Sequence, residues 1–246
     1  MEITIPYNWI PRPYQLEVLK HKARFKELVW HRRAGKSCFA LNELIRQAAL
    51  KVGVYWMLFP YYNQGKRAIV EDPEMLSKYL PPRWNFNKSE LRIDAPNGSV
   101  IRFIGADNQE NLRGSGLNGI FIDEYDDIDK NIWTTIIQPM LSLTSGWAYF
   151  IGTPKGYGNL FNLKQKIDRN IDSDWWCAPI LDAETSGVIP DDELQRIKNE
   201  VATGEMPQFV YDQEYRSQFI SGGANVFRRI KENIWHGRLD IQPNRK

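Results

Sequence analysis

The sequence predicts a three-layer α/β domain built on a mostly parallel sheet. Three observations carry this expectation. Short apolar runs alternate with amphipathic helical stretches from Lys26 to Leu181. One run, Val52 to Phe59, is almost continuously apolar, as in a strand buried on both faces. Three polar loops, at Gly35, Asp123 and Thr153, fall just after predicted strands. Ligands bind beyond those strand ends in open α/β sheets.

The elements follow in order. Pro6, Pro11 and Pro13 make residues 1–13 an extended arm. Tyr14 to Phe25 reads as an amphipathic helix with Leu16, Leu19 and Ala23 on one face. Lys26 to Trp30 is a short strand, and Ser37 to Leu50 a helix. Residues 63–80 are helical, broken near Pro73. Leu91–Ala95 and Ser99–Ile104 flank Pro96-Asn97-Gly98, a hairpin signal because Asn-Gly tolerates positive φ. Gly119–Ile122 and Trp147–Ile151 are strands, with a helix from Ile132 to Leu143 that Pro139 bends or ends. Tyr157–Ile167 is helical, and Trp175–Leu181 is a last strand. Past Thr185 the composition shifts to a charged helical stretch over 190–220 and then a Gly- and Arg-bearing tail.

The totals set limits. The 246 residues are 42% hydrophobic and 25% charged, ordinary globular composition. A net charge of +2 does not indicate a general polyanion-binding surface, although a local basic patch stays open. Cys38 and Cys177 show no metal spacing and no disulfide framework. No secretory leader or membrane span is visible, so a soluble intracellular protein is expected.

The chemistry centres on Trp30-His31-Arg32-Arg33-Ala34-Gly35-Lys36-Ser37. It resembles a Walker A phosphate loop whose first glycine position holds Trp30. Lys36 and the backbone of Arg32, Arg33, Ala34 and Gly35 suit phosphates, and the Ser37 hydroxyl suits Mg²⁺. By itself Gly-Lys-Ser also fits an ordinary strand–turn–helix junction. Ile120-Phe121-Ile122-Asp123-Glu124 reads as a Walker B strand end. Asp123 would hold the metal, and Glu124 would orient or deprotonate water. Asp126, Asp127 and Asp129 follow, so a solvated acidic loop is the plain alternative. Thr153 is placed to sense the γ-phosphate, although Gly-Thr-Pro-Lys-Gly is good turn chemistry alone. Arg113, on a Gly-rich loop, is a candidate arginine finger, with Arg32 or Arg33 as the alternative in cis. Arg12, Tyr14 and Gln15 offer an aromatic ring and an amide suited to an adenine edge. Basic residues such as Lys20, Lys22, Arg24, Lys26, Lys66, Arg67, Lys155, Lys164 and Lys166 are spread along the chain, either a solvated face or a DNA-facing one.

With these motifs in place the chain resembles the ATPase domain of a tailed-bacteriophage large terminase. The likeness rests on Arg12-Pro13-Tyr14-Gln15, the glycine-deficient His31–Ser37 loop, Leu112-Arg113-Gly114, Ile120–Glu124 and Gly152-Thr153-Pro154. It implies an additional-strand P-loop ATPase (ASCE) fold with ATP and Mg²⁺ as cofactors. It implies Arg113 acting in trans, and a homo-oligomeric ring, usually a pentamer, around double-stranded DNA. A portal protein and a small terminase subunit are the implied partners, and the host cytoplasm the implied setting. The expected organisation is an ATPase core over 1–184, a helical lid over 185–221 and a linker over 222–246. That linker would lead toward a nuclease domain, so no nuclease activity is expected of this chain. A helicase-like DNA motor and a nucleotide-binding assembly module with negligible turnover are the competing readings.

Overall fold

The structure is a computed structural model, and it describes residues 8–107, 112, 114, 116–169 and 172–220. Its strands are β1 (Phe25–Val29), β2 (Val54–Phe59), β3 (Asn85–Asn87), β4 (Arg92–Asp94), β5 (Val100–Gly105), β6 (Gly119–Ile122), β7 (Trp147–Gly152) and β8 (Trp175–Cys177). They form one sheet in the order β3-β4-β5-β2-β6-β7-β1-β8. From β5 to β8 every neighbouring pair is parallel, while β3 and β4 form an antiparallel edge. Strand β7 lies between β1, which leads into the phosphate loop, and β6, which ends at Asp123. The extra strand expected of an ASCE sheet is therefore present.

Alternate residues of these strands enter two separate cores. Leu28, Tyr55, Met57, Phe121, Tyr149 and Ile151 pack on one face with Phe39, Leu41 and Leu44. Val29, Trp56, Leu58, Ile120, Ile122 and Phe150 pack on the other with Ile132, Trp133 and Leu160. Both faces are covered, which is why the central strands are apolar at successive positions. Each fully buried Leu, Ile or Phe side chain is worth roughly 1.5–3 kcal/mol of transfer free energy.

The helices are α1 (Pro13–Lys20), α2 (Lys36–Leu50), α3 (Tyr62–Gly65), α4 (Leu76–Tyr79), α5 (Lys130–Ile132), α6 (Gln138–Ser142), α7 (Asn159–Arg169), α8 (Ala183–Ser186), α9 (Asp191–Thr203) and α10 (Gln208–Glu214). Helix α1 stops short of the expected Phe25 because that residue is the first rung of β1, paired with Ala148 and Trp175. The expected helix over 63–80 divides into α3, a wide π-turn stretch (Lys66–Glu71) and α4, with Pro73 in the gap. A second π stretch, Trp133–Ile137, joins α5 to α6. It leads directly into α6, so the helical run continues through Pro139 to Ser142.

The hairpin departs from a two-residue Asn-Gly turn. Gly98 has φ of 91° and its N–H donates to Ala95, while Asn97 stays at negative φ. Asn97 instead donates its amide to the Ala48 carbonyl at 2.8 Å, tying the hairpin to the end of α2. Strand β5 also pairs with β2, so the hairpin extends the main sheet. Lys26 is not on a solvated face. It is buried in β1, with Nζ donating to the Val18 carbonyl at 2.7 Å and the Tyr149 hydroxyl at 2.8 Å. No helix among the described residues is long and apolar enough to cross a membrane.

Candidate active site

Trp30 explains the missing glycine. Its backbone continues β1 as a bridge to Leu181 and is not among the positive-φ positions. Its side chain is buried at 1% exposure. Tyr14 stands edge-on to it at 5.0 Å, and Phe39 packs at 5.5 Å. The position is an extended strand residue with an inward side chain, so the freedom of glycine is not needed there.

The turn itself forms at the next residues. Arg33 has φ of 71° and Gly35 φ of 75°. A left-handed arginine costs about 1–2 kcal/mol, which the surrounding loop holds in place. Gly35 is the N-cap of the 15-residue α2, and no side chain caps that helix start. The first N–H groups of α2 therefore face the cleft without a side-chain partner, where the helix dipole favours an anion.

Lys36 folds back over this loop. Its Nζ donates to the carbonyls of Trp30 (3.0 Å) and His31 (3.2 Å) and to Thr153 Oγ1 (2.8 Å). Burial lowers its pKa, opposed by the charges of Glu124 and Asp123. Ser37 Oγ lies 3.5 Å from Asp123 Oδ2. Asp123 is buried, and burial together with neighbouring Glu124 pushes its pKa up to about 7. Glu124 takes a left-handed backbone with φ of 47°. Burial raises its pKa, while Lys36 and Lys155 pull it down.

These elements meet at a cleft of about 580 Å³, lined by residues that include Arg32, Arg33, Ala34, Gly35, Lys36, Ser37, Glu124 and Thr153. Three segments far apart in sequence thus converge beyond adjacent strand ends, as the sequence predicted. Arg12, Tyr14 and Gln15 lie behind the phosphate loop and not among the cleft-lining residues. Tyr14 donates to the Ala34 carbonyl at 2.7 Å, and Arg12 donates to the Tyr14 hydroxyl at 3.0 Å. Gln15 Oε1 accepts the Arg12 N–H at 2.9 Å, so one side of its amide is already engaged. Arg113 lies outside the described residues, as does the expected linker over 222–246.

Sequence reasoning missed three contributors. Lys155 was one of many scattered cations, yet it lines the cleft, pairs with Asp127 and stands 4.0 Å from Glu124. In the acidic run after Glu124, Asp127 and Asp129 are exposed, but Asp126 is part of the structure. Asp126 accepts the N–H groups of Lys155 and Leu160, both at 2.7 Å, and so fixes the turn after Thr153. Glu214, at the end of α10, reaches the cleft, and its carbonyl accepts the Arg32 N–H at 2.7 Å. The Thr153-Pro154-Lys155 adjacency was the only local signal for the first of these.

Residues 31–234 match the family described as the terminase large subunit, T4likevirus-type, N-terminal. The chain belongs to that terminase family. The large terminase subunit of Thermus phage G20c is 30% identical over 166 residues, covering 59% of this chain and 34% of the relative. That of Thermus virus P23-45 matches to the same extent. The match thus spans about a third of the length of these relatives. Among solved structures, the large terminase ATPase domain of Thermus phage P74-26 superposes with a TM-score of 0.67 at 24% identity, over 86% of this chain and 95% of that one. The large terminase of a thermophilic bacteriophage in complex with ADP gives 0.66 at 14% identity, over 85% and 53% of the two chains. Both share the fold. The stretch matched to the terminase family holds every cleft residue named above, whereas Arg12, Tyr14 and Gln15 precede it.

Proposed function

We propose that this chain is an ATP-hydrolysing motor domain of a large terminase, driving double-stranded DNA into a procapsid. The observation that carries the reading is the convergence of Lys36, Ser37, Glu124 and Thr153 at one cleft, with buried Asp123 3.5 Å from Ser37, within a sheet of the terminase ATPase fold.

The roles follow from the geometry. The uncapped start of α2 and the loop N–H groups receive phosphate oxygens. Lys36 exchanges its carbonyl partners for the β- and γ-phosphates. Mg²⁺ would fit the Ser37 hydroxyl and the buried Asp123 carboxylate, and when bound it would neutralise phosphate charge. Glu124 orients and deprotonates the attacking water. Thr153 registers the γ-phosphate through its contact with Lys36. Arg12, Tyr14 and Gln15 stand next to the loop for adenine recognition. Arg113 completes the site of a neighbouring subunit in trans, a contribution worth roughly 10³–10⁵ in rate. Arg32 and Arg33 are the cis alternatives.

Residues 1–184 form the ATPase core in this reading, 185–221 the lid and 222–246 a linker. A ring of five subunits on a portal, joined by a small terminase subunit, would thread DNA through contacts to its phosphates without sequence preference. ATP hydrolysis is the chemistry assigned to the chain.

The test is ATP turnover at high protein concentration. Lys36→Ala and Glu124→Gln each lower it at least about 100-fold, with nucleotide binding kept in Glu124→Gln. Mixing Arg113→Ala with Glu124→Gln protein restores part of the rate if the arginine acts in trans. Wild-type turnover in both Lys36→Ala and Glu124→Gln would refute the site.

A further inference from the structure

His31 is fully buried, at 0% exposure, and both of its ring nitrogens are engaged. Nδ1 lies 2.6 Å from the carbonyl of Arg32 and Nε2 lies 2.9 Å from Ser186 Oγ. A carbonyl only accepts, so Nδ1 carries the proton. In the neutral ring Nε2 is then the acceptor, and Ser186 Oγ donates to it at the shorter distance, 2.9 Å against 3.3 Å to the Ala183 carbonyl. One partner sits inside the phosphate loop and the other at the end of α8.

The backbone around His31 makes the same link a second time. The His31 carbonyl and the Arg32 N–H belong to one rigid peptide unit. Lys36 Nζ donates to that carbonyl at 3.2 Å, and that N–H donates to the Glu214 carbonyl at 2.7 Å. The His31 N–H donates to Leu181, whose carbonyl also accepts the Ser217 hydroxyl at 2.8 Å. Ala183 N–H in turn donates to Tyr215 at 2.8 Å, closing the segment on itself. A histidine that merely filled a core would bond within one packed unit. This one bonds across the junction between the phosphate loop and the segment 182–217.

We infer that His31 is the positioning residue through which occupancy of the phosphate loop is passed to the helical segment 182–217. The inference rests on the reading of the loop as an ATP site. When phosphates draw Lys36 away, the 31–32 peptide loses one of the two donors on its carbonyl, keeping the Ala34 N–H at 3.2 Å. Its N–H side and the imidazole remain tied to Glu214 and Ser186, so any turn of the peptide moves both attachments. His31 needs no contact with the nucleotide for this.

The experiment is amide hydrogen exchange over 182–217, with and without ATP-γ-S, on the whole chain. Nucleotide affinity is measured in parallel with a fluorescent ATP analogue. Wild-type protein shows a nucleotide-dependent change of at least about threefold in the exchange of these amides. Ser186→Ala binds nucleotide within about threefold of wild type but loses that change. His31→Asn keeps a donor for the Arg32 carbonyl and falls short of Ser186; read at saturating ATP-γ-S, because it lies in the phosphate loop, it also loses the change. The double variant is no worse than either single, because both cut one link. Ser186→Thr restores the response. A wild-type response in Ser186→Ala, or an unresponsive segment in wild-type protein that binds ATP-γ-S, would overturn the inference and leave the ATP site standing. Failure of the wild-type protein to bind nucleotide at all would sink the ATP site itself, and this inference with it.

Discussion

The Lys36 ammonium donates to the Thr153 hydroxyl at 2.8 Å, across 117 residues of chain. The bond joins the first turn of α2 to the loop after β7. These two segments meet because β7 is the direct neighbour of β1. Thr153 is buried, so its hydroxyl has little water to fall back on. Thr153→Val keeps the shape and removes the acceptor. The expected outcome is nucleotide affinity within about threefold of wild type and a kcat lower by about tenfold, or 1.4 kcal/mol of barrier. Equilibrium titration beside steady-state turnover measures both. An unchanged kcat would remove Thr153 from the reaction.

Lys155 should be visible in the pH dependence of turnover. Burial raises the Glu124 pKa, while Lys36 and Lys155 lower it. Removing one of those cations raises it further. A base must be deprotonated to act, so in Lys155→Met the acidic limb of the kcat/KM profile moves to higher pH. Lys155→Arg leaves the limb in place because the charge stays beside Glu124 and Asp127. A pH-rate profile of the three proteins decides it, and an unmoved limb in Lys155→Met would refute the electrostatic link.

Glu27 makes a prediction about stability. It is buried in β1, and among the described residues neither carboxylate oxygen has a hydrogen-bond partner. Burial pushes its pKa up to about 8, with Cys177 and Lys164 opposing. The folded chain therefore holds a proton between about pH 4.5 and 8 that the unfolded chain releases. Stability falls as pH rises through that window, by an amount on the order of 4 kcal/mol for this one group. Asp123 acts with the same sign from about pH 4 to 7, because its folded pKa is also raised. Glu27→Gln should flatten the slope without abolishing it. Urea midpoints at about pH 5 and pH 8 test this, and equal slopes in the two proteins would count against a protonated Glu27.

Much of the fold was legible because it rests on local patterns. The apolar run through Tyr55, Met57 and Phe59 announced a strand with two buried faces, and the structure places Trp56 and Leu58 in the opposite core. Helix ends were less legible. Tyr14 to Phe25 reads as one helix by spacing, but Phe25 is claimed by strand pairing, a non-local interaction. Strand β3 escaped notice because Asn85-Phe86-Asn87 is too short and polar to signal a strand until it pairs with β4.

The sequence by itself determined the alternation of the main strands and helices, the phosphate loop, and the acidic strand end at Asp123-Glu124. Each is encoded by neighbours in the chain, through apolar period, turn chemistry and residue type. Only the tertiary structure decided that Trp30 is an inward strand residue, that Lys36 rests on Thr153, and that Lys155 stands by Glu124. It alone joined His31 to Ser186, 155 residues along the chain. Those relationships arise where parallel strands bring distant loops to one edge. Strand order is set by how the two cores pack, and no local pattern in the chain records it.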